Sequence, residues 1–399
     1  MQKLGLKLWS INTEHYLAEA RRLYEEGWCD YVELYVVPGN REALPLWKEL
    51  RAPYIIHCPH FAHGFNLAKP EKRADNRRIY AEVKQYADAL DAPYIIFHGG
   101  VDGSAEVTAS QLAALQEPRA LIENKPLLAL PSKMHGRFCR GFSPEEISLI
   151  QQVAQCGFCL DIGHAVCSAN SQQKEPYGYL EEFLSLRPQM VHLSGIDDMS
   201  SEYDAHPHLR GSRLDLARIF RMLPQACLVT LETNKSSPTK LDDFKDDVRI
   251  CRAQAFRLRR ACESDAEAVF QLRNEAGVRR NSLCRNPLAW EEHAAWFAER
   301  VQREGEPFFI IESAGGEFLG QVRFDPQGEA WLVSASLREE WRGMGLGSAA
   351  ICRAVQAAGA KRVVAMVRVE NVASARAFSK AGFVCAGREG ELARYTYTA

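Results

Sequence analysis

Phe158-Cys159-Leu160-Asp161-Ile162-Gly163-His164 sets three apolar residues in a row, closes them with a carboxylate, and places an imidazole three residues on. An apolar run without alternation reads as a strand buried on both faces, as in a parallel sheet covered by helices. Related β-rich runs recur at Leu4–Leu8, Tyr31–Val36, Tyr54–His57, Tyr94–His98, Ala120–Glu123, Phe158–Asp161, Met190–Leu193 and Leu228–Glu232. Stretches with helical periodicity separate them, among them Glu71–Leu90, Pro144–Gln155 and Leu214–Leu223. Eight βα repeats in about 250 residues predict an α/β fold, a (β/α)8 TIM barrel over residues 1–254.

The strand ends carry the chemistry. His57, His98, Glu123, Asp161 and Glu232 close strands, His192 lies within one, and His164, Asp204 and His206 follow in adjoining loops. In such a barrel the C-terminal strand ends converge on one mouth. One His or Glu closing a strand is an ordinary capped or hydrogen-bonded residue. Six around one mouth form a crowd of buried carboxylates and imidazoles that is costly unless something pairs with it. Divalent cations supply that pairing, and mixed His and carboxylate ligands suit Zn²⁺, Mn²⁺ or Fe²⁺ better than Ca²⁺. The expectation is a Zn²⁺ or Mn²⁺ centre at this mouth. His60, His63 and His208 are left over, either as loop residues near the mouth or as substrate contacts.

Composition narrows the remaining classes. The 399 residues are 46% hydrophobic and 25% charged, which is globular composition and excludes a disordered chain. Lys and Arg total 49 against 51 Asp and Glu, so no global basic field exists to hold nucleic acid or an anionic membrane. No apolar run approaches the roughly 18 residues of a membrane span. The opening MQKLGLKLWSINTEHY lacks a secretory h-region, so a cytoplasmic location is expected. The 12 cysteines are scattered, and the CxxC at Cys156 and Cys159 lies in an apolar strand-like run, so they read as reduced core residues. Of the 11 histidines, only His293 lies beyond residue 210, and the charge balance turns from acidic to slightly basic near residue 255. A second domain over residues 255–399 follows from both shifts.

The first domain resembles the xylose-isomerase-like barrels, which include sugar isomerases, epimerases and the endonuclease IV (AP endonuclease family 2) enzymes. The resemblance is carried by LIEN at Glu123, LDIGH at Asp161, VHLSG at His192, LETN at Glu232 and FHGG at His98. It implies a Glu123, Asp161, His192, Glu232 quartet of the single-metal epimerase kind. The endonuclease IV type adds His57, His98, His164, Asp204 and His206 and implies three sites. Glu123 would bridge a His57–His98 metal to the quartet metal, and His164, Asp204 and His206 would hold the third. Glu123 and Glu232 are the candidate catalytic carboxylates of this domain. Clustered metals suit phosphoester cleavage, and a single one suits isomerisation. The acidic balance disfavours DNA as substrate, because phosphate neutralisation supplies most duplex affinity.

The second domain opens FRLRRACESDAEAVFQLRN, a strand and an acidic helix start, with strands expected at Phe308–Ile311, Leu319–Phe324 and Trp331–Leu337. Arg342-Gly343-Met344-Gly345-Leu346-Gly347-Ser348 then leads into a helical run through Ala358. Glycines before a helix let backbone N–H groups approach a phosphate. Asn371, Ser374, Phe378, Gly382 and Phe383 follow at N-x-x-S-x-x-x-F-x-x-x-G-F spacing. Together these motifs resemble the GNAT acyltransferases. The resemblance implies acetyl-CoA as cofactor, held by Arg342, Gly343, Gly345, Gly347, Ser348, Asn371 and Phe378, with the oxyanion met by backbone N–H near Leu337. Many family members carry Tyr at the Phe378 position, where it protonates the leaving thiolate; Phe cannot. Leu272-Arg273-Asn274, Arg280-Asn281-Ser282 and His293-Ala294-Ala295-Trp296-Phe297 are similar to the pseudaminic-acid-pathway N-acetyltransferases, which makes His293 a candidate catalytic residue.

The expectation is therefore a bifunctional enzyme. One half acetylates a nucleotide-linked amino sugar, and the barrel hydrolyses the nucleotide away or, alternatively, isomerises or epimerises a sugar. Protein N-acetylation, DNA repair and a barrel that only binds are further readings. A small-molecule partner, no nucleic acid or membrane partner, and a homo-oligomer complete it.

Overall fold

The protein is described by a computed structural model over residues 2–130, 137–224, 227–313 and 315–398. Two compact units result, one of residues 1–215 with 221–248, the other of 216–220 with 249–399. The change of unit falls inside the helix Asp242–Gln254, a few residues before the expected boundary at 254/255.

The first unit is a closed parallel barrel of β1 (Lys3–Trp9), β2 (Tyr31–Tyr35), β3 (Tyr54–His57), β4 (Ile95–His98), β5 (Ala120–Glu123), β6 (Gly157–Asp161), β7 (Met190–Leu193) and β8 (Leu228–Leu231). Strand β8 returns to β1 with Leu4 opposite Val229. The expected strands lie within a residue or two of these bounds. Glu232 falls one residue past β8, and its backbone N–H donates to Leu193 O.

Residues two apart on a strand share a face. Tyr31, Ile55, Ile96, Leu121, Cys159 and Met190 form one apolar layer inside the barrel. Two residues further along the same strands come Glu33, His57, His98, Glu123, Asp161 and His192. The apolar plug and the polar cup above it are thus consecutive layers of one inward face.

Gly5 sits beside that plug. A Cβ there would lie 2.2 Å from the Tyr31 ring, whose hydroxyl hydrogen-bonds Thr230 Oγ1 at 2.9 Å across the barrel.

The second unit is a seven-stranded sheet of β9 (Arg257–Arg260), β10 (Phe308–Glu312), β11 (Phe318–Gln327), β12 (Ala330–Leu337), β13 (Arg362–Arg368), β14 (Val384–Glu389) and β15 (Leu392–Thr398), in the order β14-β15-β13-β12-β11-β10-β9. Its one parallel pair is β12 with β13, registered only at Trp331↔Val363 and Leu332↔Val364. Strand β12 pairs with β11 along its whole length. Beyond Leu332, β12 and β13 part and leave a wedge open towards Leu337 and Arg368.

Most described cysteines are buried, as expected of core residues, but Cys262, Cys284 and Cys385 are exposed. No helix among the described residues is long and apolar enough to cross a membrane.

Gly5→Ala is expected to force Tyr31 off its packing and cost about 1–3 kcal/mol, the usual penalty of overpacking a core. Chemical denaturation reads this as a lowered midpoint, and an unchanged midpoint would mean that the ring is free to move.

Candidate functional site

Each barrel ligand reaches the mouth for a local reason. Asp161 ends β6 and caps the next helix, Ile162–Ser171, by accepting from His164 N–H at 2.7 Å; the cap also brings His164 round to face the mouth. Asn124 ties β5 to β6, donating from Nδ2 to Asp161 O (2.9 Å) and accepting Asp161 N–H on Oδ1 (2.7 Å). Glu123 and Asp161 are thereby held by backbone latches as well as by strand pairing.

The structure gathers the ligand atoms into groups that match those the resemblance implied. His57, His98 and Glu123 form one, Glu123, Asp161 and His192 a second, and His164, Asp204 and His206 a third; within each group the ligand atoms lie within 4.8 Å of one another. Glu232 joins the second through Oε2, 2.9 Å from His192 Nδ1.

Hydrogen-bond parity tests whether cations fit. His57 Nδ1 donates to Cys58 O at 2.8 Å, which leaves Nε2 as a lone pair 3.0 Å from Glu123 Oε2. Burial, with Lys7 nearby, holds this imidazole below its ordinary pKa, so the neutral form is favoured and two acceptors face each other. His98 Nε2 lies 3.0 Å from the same oxygen. His192 Nδ1, Glu232 Oε2, Asp204 Oδ2 and His206 Nδ1 are buried atoms without a hydrogen-bond partner. Orphaned acceptors that converge in this way fit divalent cations. Burial opposes a charged His192, but Cys159, Glu33 and Glu232 outweigh it and raise its pKa well above the ordinary value. A proton and a metal ion would therefore compete for Nδ1.

Three residues of the cup escaped the sequence reading. Glu33 is fully buried and accepts from His192 Nε2 at 2.9 Å, which fixes that ring. Burial would raise the Glu33 carboxyl, yet His192 and Lys7 bring it down to about 2. Lys7 lies 3.2 Å from Glu33 Oε1 and 2.7 Å from Glu232 Oε1. Lys125 places Nζ 3.1 Å from His164 Nε2 and 3.5 Å from Glu123 Oε1. Face parity was the available signal for the first two, because Lys7 follows Gly5 and Glu33 follows Tyr31 by two residues.

The left-over histidines divide. His60 and His63 line one side of the mouth with Trp9 and Tyr35: Trp9 stacks on Tyr35 at 5.1 Å, Tyr35 Oη bonds His63 Nδ1 at 2.7 Å, and His60 stacks on His98 at 6.0 Å. His208 instead bonds Asp247 (2.8 Å) and Ser236 (3.0 Å), tying its loop to the helix Asp242–Gln254.

In the second unit, Gly343 and Gly345 have φ of 76° and 77°, a backbone that glycine adopts freely. Gly345 precedes the helix Leu346–Ala358 with no side-chain cap, so the first-turn N–H groups around Gly347 and Ser348 remain available to an anion. Leu337 ends β12 at the open wedge. The Arg342 guanidinium does not face the helix start: Nε donates to Leu337 O (2.9 Å) and Nη2 to Glu275 (2.5 Å), which makes Arg342 a brace for the loop. Asn371 likewise caps the helix Val372–Lys380, accepting Ser374 N–H at 3.0 Å. Phe378 is buried against Phe383 (5.1 Å) and stacked on Tyr395 (6.4 Å), so no acid stands at its position. His293 is buried among Phe270, Trp290, Trp296 and Phe297. Its Nε2 donates to Ala266 O at 3.0 Å, and its Nδ1 has no partner.

Comparison with known proteins agrees with both halves. The chain belongs to the xylose isomerase-like TIM barrel family, whose sequence model matches residues 29–254, and an acetyltransferase (GNAT) domain model matches residues 256–384. The second unit is thus a GNAT acetyltransferase domain. No curated protein matches the chain. Similar solved structures include the spermidine N-acetyltransferase of Vibrio cholerae in complex with CoA and spermine, with 18% identity, 36% of this chain and 95% of that one covered, and a TM-score of 0.33. An N-acetyltransferase from Staphylococcus aureus Mu50 shows 26% identity, 36% and 98% coverage, and a TM-score of 0.32.

Glu123→Gln is expected to deplete the two groups that share this carboxylate. Elemental analysis of metal-loaded protein would then find fewer ions per chain than in wild type; equal content would break the assignment. Lys7→Met is expected to cost the metal-free protein about 3–5 kcal/mol, the penalty for breaking a buried ion pair. Thermal melts should show that added Zn²⁺ or Mn²⁺ restores part of that loss.

Proposed function

We propose that the chain is a bifunctional enzyme of nucleotide-linked amino-sugar metabolism, of the kind that leads to pseudaminic-type nonulosonic acids. The GNAT domain N-acetylates a UDP-linked amino sugar with acetyl-CoA, and the barrel hydrolyses the linkage that frees the nucleotide. The observation that carries the barrel half is the nine-residue ligand set with its converging, unpartnered acceptor atoms.

His57, His98 and Glu123 would hold one ion, Glu123, Asp161, His192 and Glu232 a second, and His164, Asp204 and His206 a third. Divalent cations in such a centre supply a nucleophilic water at neutral pH and neutralise both attacking and leaving oxygens. Lys125 adds a fixed positive charge beside them for a phosphate. Trp9, Tyr35, His60 and His63 offer flat faces to a sugar ring or base. In the acetyltransferase domain, the N–H groups that open the helix after Gly345 bind the coenzyme pyrophosphate. The free β12 edge near Leu337 meets the negative charge that develops on the acyl oxygen. The acceptor amine forms the new C–N bond, the thioester C–S bond breaks, and the amine proton passes to solvent. His293 is the candidate to receive that proton ahead of solvent: its Nδ1 is buried without a hydrogen-bond partner, and burial keeps the ring below its ordinary pKa, in the neutral form.

A mononuclear sugar isomerase or epimerase is the second reading, favoured by the quartet Glu123, Asp161, His192 and Glu232, which makes a complete single-metal site alone. One metal ion per chain supports epimerisation, and two or three support hydrolysis. The decisive assay incubates metal-loaded protein with a UDP-linked diamino sugar and acetyl-CoA. N-acetyl product with release of UDP or UMP is expected. Acetylation without nucleotide release refutes the hydrolase half, and acetylation of peptides in place of the sugar refutes the acceptor.

A further inference from the structure

The segment from Arg273 to Arg285 closes over the open end of the β12–β13 wedge. It is pinned on one side where Glu275 receives Arg342, the brace of the loop after β12 (2.5 Å). On the other side, Arg368 at the end of β13 donates to Ser282 O (3.1 Å) and Arg285 pairs with Glu370 just beyond (2.8 Å). Gly277 keeps the first junction tight, since a Cβ there would meet Arg342 Nη1 at 2.5 Å. An acceptor amine that approaches a thioester in the wedge therefore passes this segment.

The segment is cationic and largely uncompensated. Its acid, Glu275, is taken by Arg342, and the nearby Glu370 is taken by Arg285. Asp325 serves Arg323 and Arg300. Arg273 and Arg279 spend hydrogen bonds only on backbone carbonyls, Cys284 O at 2.6 Å and Asn274 O at 3.2 Å. Arg273 Nη1 is buried with no partner. Burial, with Arg323 and Arg279 close by, lowers the Arg273 pKa from its ordinary value, so the group sits among like charges. Arg280 is exposed and follows Arg279 on the short helix Ala276–Asn281. A guanidinium with a desolvated, idle N–H beside Arg279 and Arg323 is a stable arrangement when an anion completes it. Phosphate matches the planar fork of arginine. Lys or polyamine ammonium groups would be repelled.

We propose that Arg273 and Arg279, with the exposed Arg280 next to Arg279 in the chain, form an anion subsite at the acceptor side of the acetyltransferase domain, which holds a phosphate group carried by the amine acceptor. This deepens the reading that the domain acetylates a nucleotide-linked sugar, and rests on it for the identity of the phosphate. The subsite gives specificity: it selects amines that carry a phosphate ester or diphosphate and rejects polycationic amines.

The test uses the full chain saturated with CoA, so that the glycine loop is filled. UDP and inorganic pyrophosphate are titrated by calorimetry into wild type, Arg273→Gln and the exposed Arg280→Gln. Each lost guanidinium is expected to weaken binding about 10-fold or more, the value of a hydrogen bond to a charged group. Pyrophosphate binding without UDP preference marks a sugar phosphate, and tighter UDP binding marks a nucleotide sugar; either supports the subsite. In turnover, the variants are expected to raise the acceptor KM at nearly constant kcat and acetyl-CoA KM, with spermidine a poor acceptor for all three proteins. If the variants lose the binding that wild type shows but wild type acetylates no UDP-linked sugar, the functional reading fails and the subsite stands. If CoA-saturated wild type binds neither probe, or if both variants bind as wild type does, or if only the acetyl-CoA KM moves, the subsite is refuted.

Discussion

The barrel is organised around the cost of placing Glu33, Glu123, Asp161 and Glu232 inside one closed sheet. Four carboxylates at that depth repel one another in a medium that screens poorly. Lys7 and Lys125 answer part of that charge, and His192, driven towards its protonated form, answers more. Divalent cations would answer the rest, displacing the His192 proton and meeting the converging atoms of His192, Glu232, Asp204 and His206. Second-layer contacts, such as the Asn124 latch, the Asp161 cap and the Glu33–His192 bond, keep these atoms aimed at one another.

Much of this was legible because barrel strands obey a two-residue period. Once an apolar run is buried on both faces, the residue that closes it and the one two before it must share a side, so Glu123 follows Leu121 and Asp161 follows Cys159 into the interior. The strand limits and the polar residues that close the strands were readable for that reason, whereas His164, Asp204 and His206 lie off the strands and outside its reach. Lys7 and Glu33 obeyed the same rule but sit within β1 and β2, where a single charged residue in a short run gives no sign of its partners across the barrel. Lys125 lies in a loop, and its reach to His164 depends on a fold in which residues 39 apart become neighbours.

The acetyltransferase domain was legible through its glycines, whose backbone demands are local. Roles assigned by motif position proved less transparent. Arg342 and Asn371 spend their side chains on Leu337, Glu275 and Ser374, so they shape the coenzyme loop and the following helix from behind. Nothing in the spacing distinguishes a side chain that touches a ligand from one that supports the backbone that does. The burial of Phe378 against Phe383 and Tyr395 shows that this position has been given over to packing.

Lys7 carries a final consequence. A covalently attached cation bonded to Glu33 and Glu232 cannot diffuse away, whatever the supply of dissolved ions. On the proposed reading, loss of the metal would then strip reactivity from the barrel while sparing its architecture. Reloading would need only recapture of ions by a cup already in shape.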